Sequence, residues 1–444
     1  MTVKKLLATL GIWSALAAPA LAQTTPGTTQ NPNRIDGYGA PVSPSVPVNR
    51  AADETTIDII GGYYRQDGTH GAVEGGRGTE HLTDVPPAII VNVPLDTVSR
   101  LTANVGADFY ASASTDRIDF ALSTPSAHDT RFHGDFGYSR EHKYKGTIWG
   151  VGAGVSKEYD YFSVNGTGSF AKTSRDGNRQ LSLAGHIFLD QVTLITPIEL
   201  RTTPTRGKSE YGTDTRQTYN LTATYSQVLT KRLQAAISTE LVSQNGLLST
   251  PFHRVYFYDS TTPNPVTSVD AANFSSRVPT APKTELLPRS RFKYPISLRL
   301  NYFATDVVQI RAFYRLYNDN FGITAHTAEL ELPVKVTPFF VLYPFYRYHT
   351  QTAAKYFAPF LQHSISDEFY TSDYDLSDFS ANKVGLGLRY SPVYGISRFH
   401  VPGQNAAGQP RIMRLKSLDL RYAHYQRSTN LVANIVSFDL GFAL

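Results

Sequence analysis

The fold is decided by the sequence ISLRLNY at residues 296–302, in which apolar and polar side chains alternate at every position. After a tight turn at Thr305-Asp306, the alternation resumes over 308–316, with Arg311 and Arg315 at polar positions. A period of two is that of a β-strand, whereas a helix repeats every 3.6 residues. The two stretches therefore predict a hairpin with one apolar and one charged face.

The same alternation recurs along most of the chain. It returns at residues 101–109, 149–155, 181–190, 328–335, 384–390 and 436–444. A soluble β-sandwich would alternate as well, so further features are needed to choose. Tyr and Phe cluster at strand ends, and short turns alternate with long polar connections at 247–288 and 356–380. The last strand, with Phe442 before Leu444, partly matches the terminal signal of outer-membrane barrels, which usually ends in Phe or Trp. Together these features predict an all-β fold, a closed antiparallel transmembrane β-barrel.

The number of strands follows from parity, because both ends of a bacterial barrel chain are expected on the periplasmic side. Strands are predicted to begin near residues 55, 87, 99, 129, 147, 161, 179, 215, 231, 291, 306, 324, 339, 381, 414 and 431. The region 87–110 could be one long strand, but Pro94-Leu95-Asp96 supplies a turn within it. Dividing it there gives sixteen strands, and the alternative is fourteen.

The first 53 residues are expected to lie outside the barrel. Residues 1–22 have the pattern of a secretory signal peptide: Lys4 and Lys5, an apolar stretch, and a small-residue cleavage site ending at Ala22. Residues 23–53 are rich in Thr, Pro, Asn and Gln, and we expect a disordered periplasmic segment. The domain prediction is therefore a signal peptide, this segment, and a barrel over 54–444 in the bacterial outer membrane.

The amino-acid composition excludes several classes of site and of partner. The chain has no Cys, which excludes disulfides and thiolate metal sites. Its formal net charge is +5, and Lys4 and Lys5 of the leader contribute two of those charges. So small an excess does not indicate nucleic-acid binding. The expected partners are the lipid bilayer with its lipopolysaccharide, the barrel-insertion machinery and, in one reading, a further envelope protein.

A barrel of sixteen strands has an aqueous lumen unless something fills it. The inward faces of neighbouring strands carry a predicted charge network: Arg299, Arg311, Arg315, Glu329, Glu331, Lys335 and Arg347. Such charges would be costly against lipid, by roughly 2–4 kcal/mol for each Arg or Lys at mid-depth. A cation-lined constriction would favour anions, but acids and bases are interleaved here. The pattern favours a salt-bridge ladder that stiffens the wall.

Two segments, 314–327 and 346–357, resemble hallmarks of a domain-of-unknown-function family of predicted bacterial outer-membrane barrels. The matching motif residues are Asp319, Gly322, His326, Arg347 and Gln351. The chain departs from the family pattern at His349, where Tyr is usual, and at Lys355, where an acid is common. The resemblance covers roughly 54–444 and implies a fold and a location but no activity. Family members tend to be encoded near flavin-transferase and small lipoprotein genes, which implies a link to envelope redox chemistry or assembly.

Candidate chemistry is sparse. His186, His326, His349 and His424 are predicted on different strands with no Ser at a fixed spacing, so no catalytic residues are predicted and an enzyme is not expected. The acidic loop 363–380 lacks the spacing of a dedicated calcium site and is interpreted as a solvated outer loop. No metal site and no cofactor are predicted.

Two function classes remain. The favoured one is a porin-like passive channel for small polar solutes. The alternative is a plugged structural or partner-binding barrel that serves envelope assembly or extracellular electron transfer. The sequence does not decide between an open and a plugged lumen.

Overall fold

The structure is a computed structural model that describes residues 54–112, 128–142, 145–197, 200, 211–258, 283–404, 408 and 410–444. The predicted signal peptide and the segment 23–53 lie outside the described residues, so both stay predictions. None of the helices in the described part of the chain is long and apolar enough to cross a membrane.

The described residues form sixteen barrel strands, four of which are interrupted. Their bounds are β1 Thr56–Asp67, β2 Leu82–Val85 with Ala88–Pro94, β3 Ser99–Ser112, β4 His128–His142, β5 Thr147–Lys157, β6 Tyr161–Thr173, β7 Arg179–Thr193, β8 Thr213–Thr230, β9 Leu233–Gly246, β10 Ser290–Lys293 with Ile296–Phe303, β11 Gln309–Asn318, β12 Thr324–Glu331 with Val334–Thr337, β13 Phe340–Gln351, β14 Phe379–Tyr390 with Ser397–Gln404, β15 Pro410–Arg427 and β16 Leu431–Ala443.

Each strand pairs antiparallel with its neighbours in sequence, and β16 pairs with β1 to close the sheet. The closing register runs unbroken from Thr56 opposite Ala443 to Asp67 opposite Val432. The predicted closed barrel of sixteen strands is confirmed, and every strand begins within five residues of its predicted start. The turn predicted after Pro94 separates β2 from β3, which settles the region 87–110 as two strands.

The connections differ sharply between the two ends of the barrel. At one end, called here the turn end, strands are joined by short segments such as 231–232 and 304–308. The opposite end, called the loop end, carries the long connections 68–81, 247–289 and 352–378. Because strand direction alternates, the predicted long connections share one end and the predicted tight turns share the other.

Side chains divide cleanly between the two faces of the wall. Large apolar residues point outward along most strands; examples are Val105, Phe132, Phe136, Val151, Leu221 and Ile237, each at least half exposed in the isolated chain. Charged and polar residues such as Glu329, Arg347 and Arg389 are buried on the inner face. A continuous apolar exterior of this extent needs an apolar surrounding. The barrel is therefore built to span a membrane with its polar face inside.

Candidate functional site

The predicted charge network gathers around Glu331 on the inner wall. Arg311 donates a hydrogen bond to Glu331 at 2.9 Å, and Arg421 lies 3.8 Å from the same carboxylate. Arg315 forms its described ion pair with Glu240, at 3.5 Å, rather than with either predicted acid. Alternation predicts that Arg421 faces inward, but it does not pair Arg421 with Glu331 or Glu240 with Arg315, because the two residues of each pair lie on strands that are not consecutive.

The other predicted members occupy different positions. Glu329 lies directly opposite Arg347 in the register of β12 and β13. The guanidinium of Arg299 lies 5.8 Å from the ring centre of Phe313 on the next strand. Lys335 is exposed near the turn end, in the second segment of β12, away from the ion pairs around Glu331.

Two inward aromatic rings, which the sequence analysis did not single out, fill part of the lumen beside these charges. Tyr343 and Phe345 are 1% and 3% exposed, and the Arg421 guanidinium stacks 3.8 Å from the centre of Phe345. Glycine stands opposite both rings in β14: a Cβ at Gly385 would overlap Phe345, and one at Gly387 would overlap Tyr343. The sequence did contain a signal for these inward rings, because Gly385 and Gly387 alternate with the outward apolar residues of β14. Small residues there make room for the bulky neighbours.

The family-motif residues Asp319 and Gly322 build the connection between β11 and β12. The buried Asp319 carboxylate accepts hydrogen bonds from the Arg291 guanidinium at 2.5 and 2.9 Å and from the Tyr317 hydroxyl at 2.7 Å. It also accepts from the backbone N–H of Ile323 at 3.0 Å. Gly322 has φ +92°, a conformation that L side chains rarely adopt. This motif therefore fixes the base of the loop end.

The remaining motif residues have separate environments. The Gln351 amide donates to the backbone carbonyls of Asp375, at 3.0 Å, and Ser377, at 2.7 Å, and so clamps the returning end of connection 352–378. His326 faces outward, with its Nδ1 2.7 Å from the Tyr314 hydroxyl. Arg347 is buried in the lumen.

The four histidines considered for catalysis stand on four strands. His186 lies on β7, His326 on β12, His349 on β13 and His424 on β15. His349 has its Nδ1 2.8 Å from the Thr327 hydroxyl, and His424 has its Nδ1 3.1 Å from the side-chain oxygen of Asn434. Both imidazoles therefore contact polar side chains of neighbouring strands in the barrel wall.

The long connections of the loop end pack into a single layer, which we call the cap. It comprises the described residues of the connections 68–81, 194–212, 247–289 and 352–378. The cap has two apolar clusters of its own, Val73 with Ile195 and Phe252, and Val255 with Phe257 and Tyr370. In a third cluster, Leu287 and Ala354 of the cap pack on Phe321, Ile323 and Ala325 around the start of β12. Burial of this degree is that of a protein core rather than of a mobile loop.

The cap reaches across the mouth of the barrel. Arg254, between β9 and β10, donates from Nη1 to the carbonyl oxygen of Val73, between β1 and β2, at 3.0 Å. Eight strands separate these two connections in a ring of sixteen, so they start on opposite sides of the mouth. Residues from opposite sides can meet only over the lumen. Val73, Ile195 and Phe252 extend this contact into an apolar cluster.

Polar contacts join connection 352–378 to the rest of the cap. The Thr371 hydroxyl donates to Glu285 of connection 247–289 at 2.5 Å. Arg427 of β15 donates to Asp375 at 2.6 Å and so holds connection 352–378 to the barrel wall. The interpretation of 363–380 as a solvated acidic loop is therefore wrong for Asp375, whose carboxylate is largely buried by Arg427. It is also wrong for Asp373, whose side chain is 15% exposed. Burial raises the pKa of that carboxyl to about 7, and the neighbouring Asp375 adds to the rise.

Fold and site define the class: a membrane-spanning β-barrel of sixteen strands with a charge-lined lumen and a packed cap over one mouth. The chain belongs to the family described as Protein of unknown function (DUF3570), whose model matches residues 87–393. No curated protein matches the sequence.

Several solved structures are similar in overall architecture. One titled "Bacterial polysaccharide outer membrane secretin" has a TM-score of 0.44 at 10% identity, covering 89% of this chain and 100% of that one. CdiB from Acinetobacter baumannii has a TM-score of 0.43 at 10% identity, covering 88% of this chain and 61% of that one. The outer membrane protein opdK from Pseudomonas aeruginosa has a TM-score of 0.37 at 8% identity, covering 88% and 98%. At these scores the likeness carries no information on what this chain binds or transports.

Proposed function

We propose that the protein is an integral barrel of the bacterial outer membrane whose cap keeps the lumen closed to bulk solute. In this role it acts by binding a partner or by opening the cap on demand, within envelope assembly or electron transfer. The observation that carries the proposal is the contact between Arg254 and Val73, from connections on opposite sides of the mouth. A loop that only lined the rim of the mouth would not contact a loop from the opposite side.

The interior of the cap supports a closed resting state. Phe252, Ile195 and Val73 are each at most 3% exposed, so an opening that separated them would expose apolar surface to water. Burial of one such side chain stabilises a fold by roughly 1.5–3 kcal/mol. Three of them, with the Arg254 hydrogen bond, favour a cap that is closed for most of the time.

The predicted porin-like passive channel is the second candidate, and the lumen wall favours it. Arg311, Glu331, Arg421, Arg315 and Glu240 form ion pairs on the inner face, which suit a wet interior. A small polar solute could pass such a wall if the mouth were open. The two candidates differ in the state of the cap and not in the fold.

Location and partners follow from the sequence predictions. The leader 1–22 would direct export, β16 would present the insertion signal, and the apolar exterior would contact the bilayer and lipopolysaccharide. With 23–53 periplasmic, the loop end would face the outside of the cell.

Liposome swelling separates the two candidates. Liposomes that contain the wild-type protein should swell in a small sugar at the rate of empty liposomes, because the cap blocks entry. Arg254→Ala combined with Phe252→Ala should accelerate swelling several-fold, since both residues hold connection 247–289 to the opposite side. The matched control is Arg65→Ala, an exposed residue of β1. Fast swelling by the wild type, equal to that of the double variant, would favour the passive channel.

A further inference from the structure

The cap contains a buried trio of side chains that would chelate a cation. His253, Glu285 and Asp373 offer one nitrogen and two oxygens that all lie within 4.8 Å of one another. His253 and Glu285 are 3% and 4% exposed, and the side chain of Asp373 is 15% exposed. Two carboxylates held together away from water repel each other unless a positive charge lies between them or one of them takes up a proton.

The imidazole of His253 is aimed into this trio without a hydrogen bond. Its Nδ1 is buried and has no hydrogen-bond partner among the described residues. It lies 3.8 Å from a Glu285 oxygen and 3.7 Å from an Asp373 oxygen, beyond hydrogen-bonding distance of either. Two ligands of one tetrahedral zinc ion, each bound at about 2.1 Å, are about 3.4 Å apart. The two separations from His253 need only a small adjustment to reach that value, and the two carboxylate oxygens would close from a separation of at most 4.8 Å.

A second buried histidine in the cap shows the contrast. His363 is 2% exposed, yet its Nε2 lies 2.9 Å from the carbonyl oxygen of Thr371 and its Nδ1 lies 3.3 Å from Asp367. Both of its ring nitrogens therefore have partners. His253 is as deeply buried, and its Nδ1, the nitrogen that faces the two carboxylates, has no hydrogen-bond partner among the described residues.

Neighbouring groups already orient the two carboxylates. Glu285 accepts hydrogen bonds from the backbone N–H of Thr250 at 2.6 Å and from the Thr371 hydroxyl at 2.5 Å. Asp373 accepts at Oδ1 from the backbone N–H of Asp375 at 2.9 Å, which leaves Oδ2 turned toward His253. Metal-binding carboxylates are commonly held by such outer contacts.

We propose that His253, Glu285 and Asp373 bind one divalent transition-metal cation of the zinc class. A ligand set of one imidazole and two carboxylates suits zinc, whereas magnesium prefers an octahedral shell of oxygens. The bound ion would tie both ends of connection 247–289 to connection 352–378, and three protein ligands leave a fourth position for water. The proposal concerns ion binding alone and stands whether or not the lumen conducts.

The test uses the full chain without a polyhistidine tag, stripped with EDTA and purified in detergent. After incubation with zinc chloride and gel filtration, elemental analysis should find one zinc per wild-type chain. His253→Gln should fall to the level of the blank, and His363→Gln, the matched control, should keep its zinc. No zinc on the wild type, equal zinc on His253→Gln, or retention of magnesium in place of zinc would overturn the proposal.

A second variant guards against loss of folding. If His253→Gln does not give the heat-modifiable band of a folded barrel, Asp373→Asn replaces it, because its amide oxygen can still accept from Asp375. Zinc should raise the melting temperature of the wild type and leave that of Asp373→Asn unchanged. The same zinc-dependent rise in both proteins would contradict the assignment.

Discussion

Arg254 donates a hydrogen bond to the carbonyl oxygen of Val73 at 3.0 Å, although 181 residues separate them in the sequence. The same guanidinium lies 3.7 Å from the Glu74 carboxylate, so both contacts join connection 247–289 to connection 68–81. This pair spans the mouth of the barrel. On the function proposed above, this crossing is what closes the lumen at the loop end.

An engineered disulfide should show that connections 68–81 and 247–289 meet in the protein in cells. The natural chain has no Cys, so a pair introduced at Val73 and Phe252, which pack in one cluster, has no competitor. Oxidation should link most of the Val73→Cys, Phe252→Cys protein, seen as a shifted band in non-reducing electrophoresis after heating. A pair at Leu95 and Phe252, from opposite ends of the barrel, should stay reduced. Failure of the first pair to link would mean that these connections do not meet.

The sequence predicted the wall well and the cap hardly at all. Alternation over 296–302 and 308–316 shows which residues face inward, because a strand has only two faces. Arg254 and Val73 carry no such periodic signal, since contacts between loops depend on three-dimensional closure. The apolar residues Phe252, Val255 and Phe257 inside a long connection were the one available hint of a packed layer.

The same difference between wall and cap applies to the candidate sites: the lumen ion pair could be predicted from the strand pattern, and the residues of the cap site could not. Arg311 and Glu331 could be predicted as inward neighbours from the strand pattern, and the structure pairs them at 2.9 Å. His253 and Glu285 escaped notice because 31 intervening residues separate them, and Asp373 follows much later. Their proximity depends on a two-residue ribbon that pairs Arg254–Val255 with Lys283–Thr284.

Removing one acid from the lumen should cost stability. Glu331 is buried and faces both Arg311 and Arg421, so Glu331→Gln leaves two guanidinium groups without their carboxylate. We expect a loss of about 3 kcal/mol in the free energy of unfolding, measured by urea titration of the protein in micelles. Glu54→Gln is the control, because Glu54 is exposed beside Lys416 and its loss should cost less than about 1 kcal/mol. Equal effects of the two changes would contradict the described contacts.

The cap should weaken as pH rises. Burial raises the pKa of Glu80 to about 8. The neighbouring charges of Asp375 and Asp373 add to this rise, whereas Arg427 and a hydrogen bond from the backbone of His70 oppose it. The folded pKa exceeds the ordinary value of 4.5, so the folded state binds the proton more tightly than the unfolded state does. The resulting stability is fully present below pH 4.5 and is lost as pH rises through about 8.

The urea midpoint of the wild type should therefore fall between pH 5 and pH 9. Glu80→Gln, which cannot titrate at this position, should reduce that slope, and Asp373, whose pKa is also raised, should account for part of what remains. An equally steep slope in the variant would assign the pH dependence to other groups.

The measurement that tests the central claim most directly is planar-bilayer conductance of the wild type beside a variant that lacks residues 69–79. Deletion of this segment removes Val73 and with it the contact to Arg254. The wild type should show no steady open level, and the deletion variant should show stable steps of uniform size. Steady wild-type steps as large as those of the deletion variant would contradict a cap that closes the lumen.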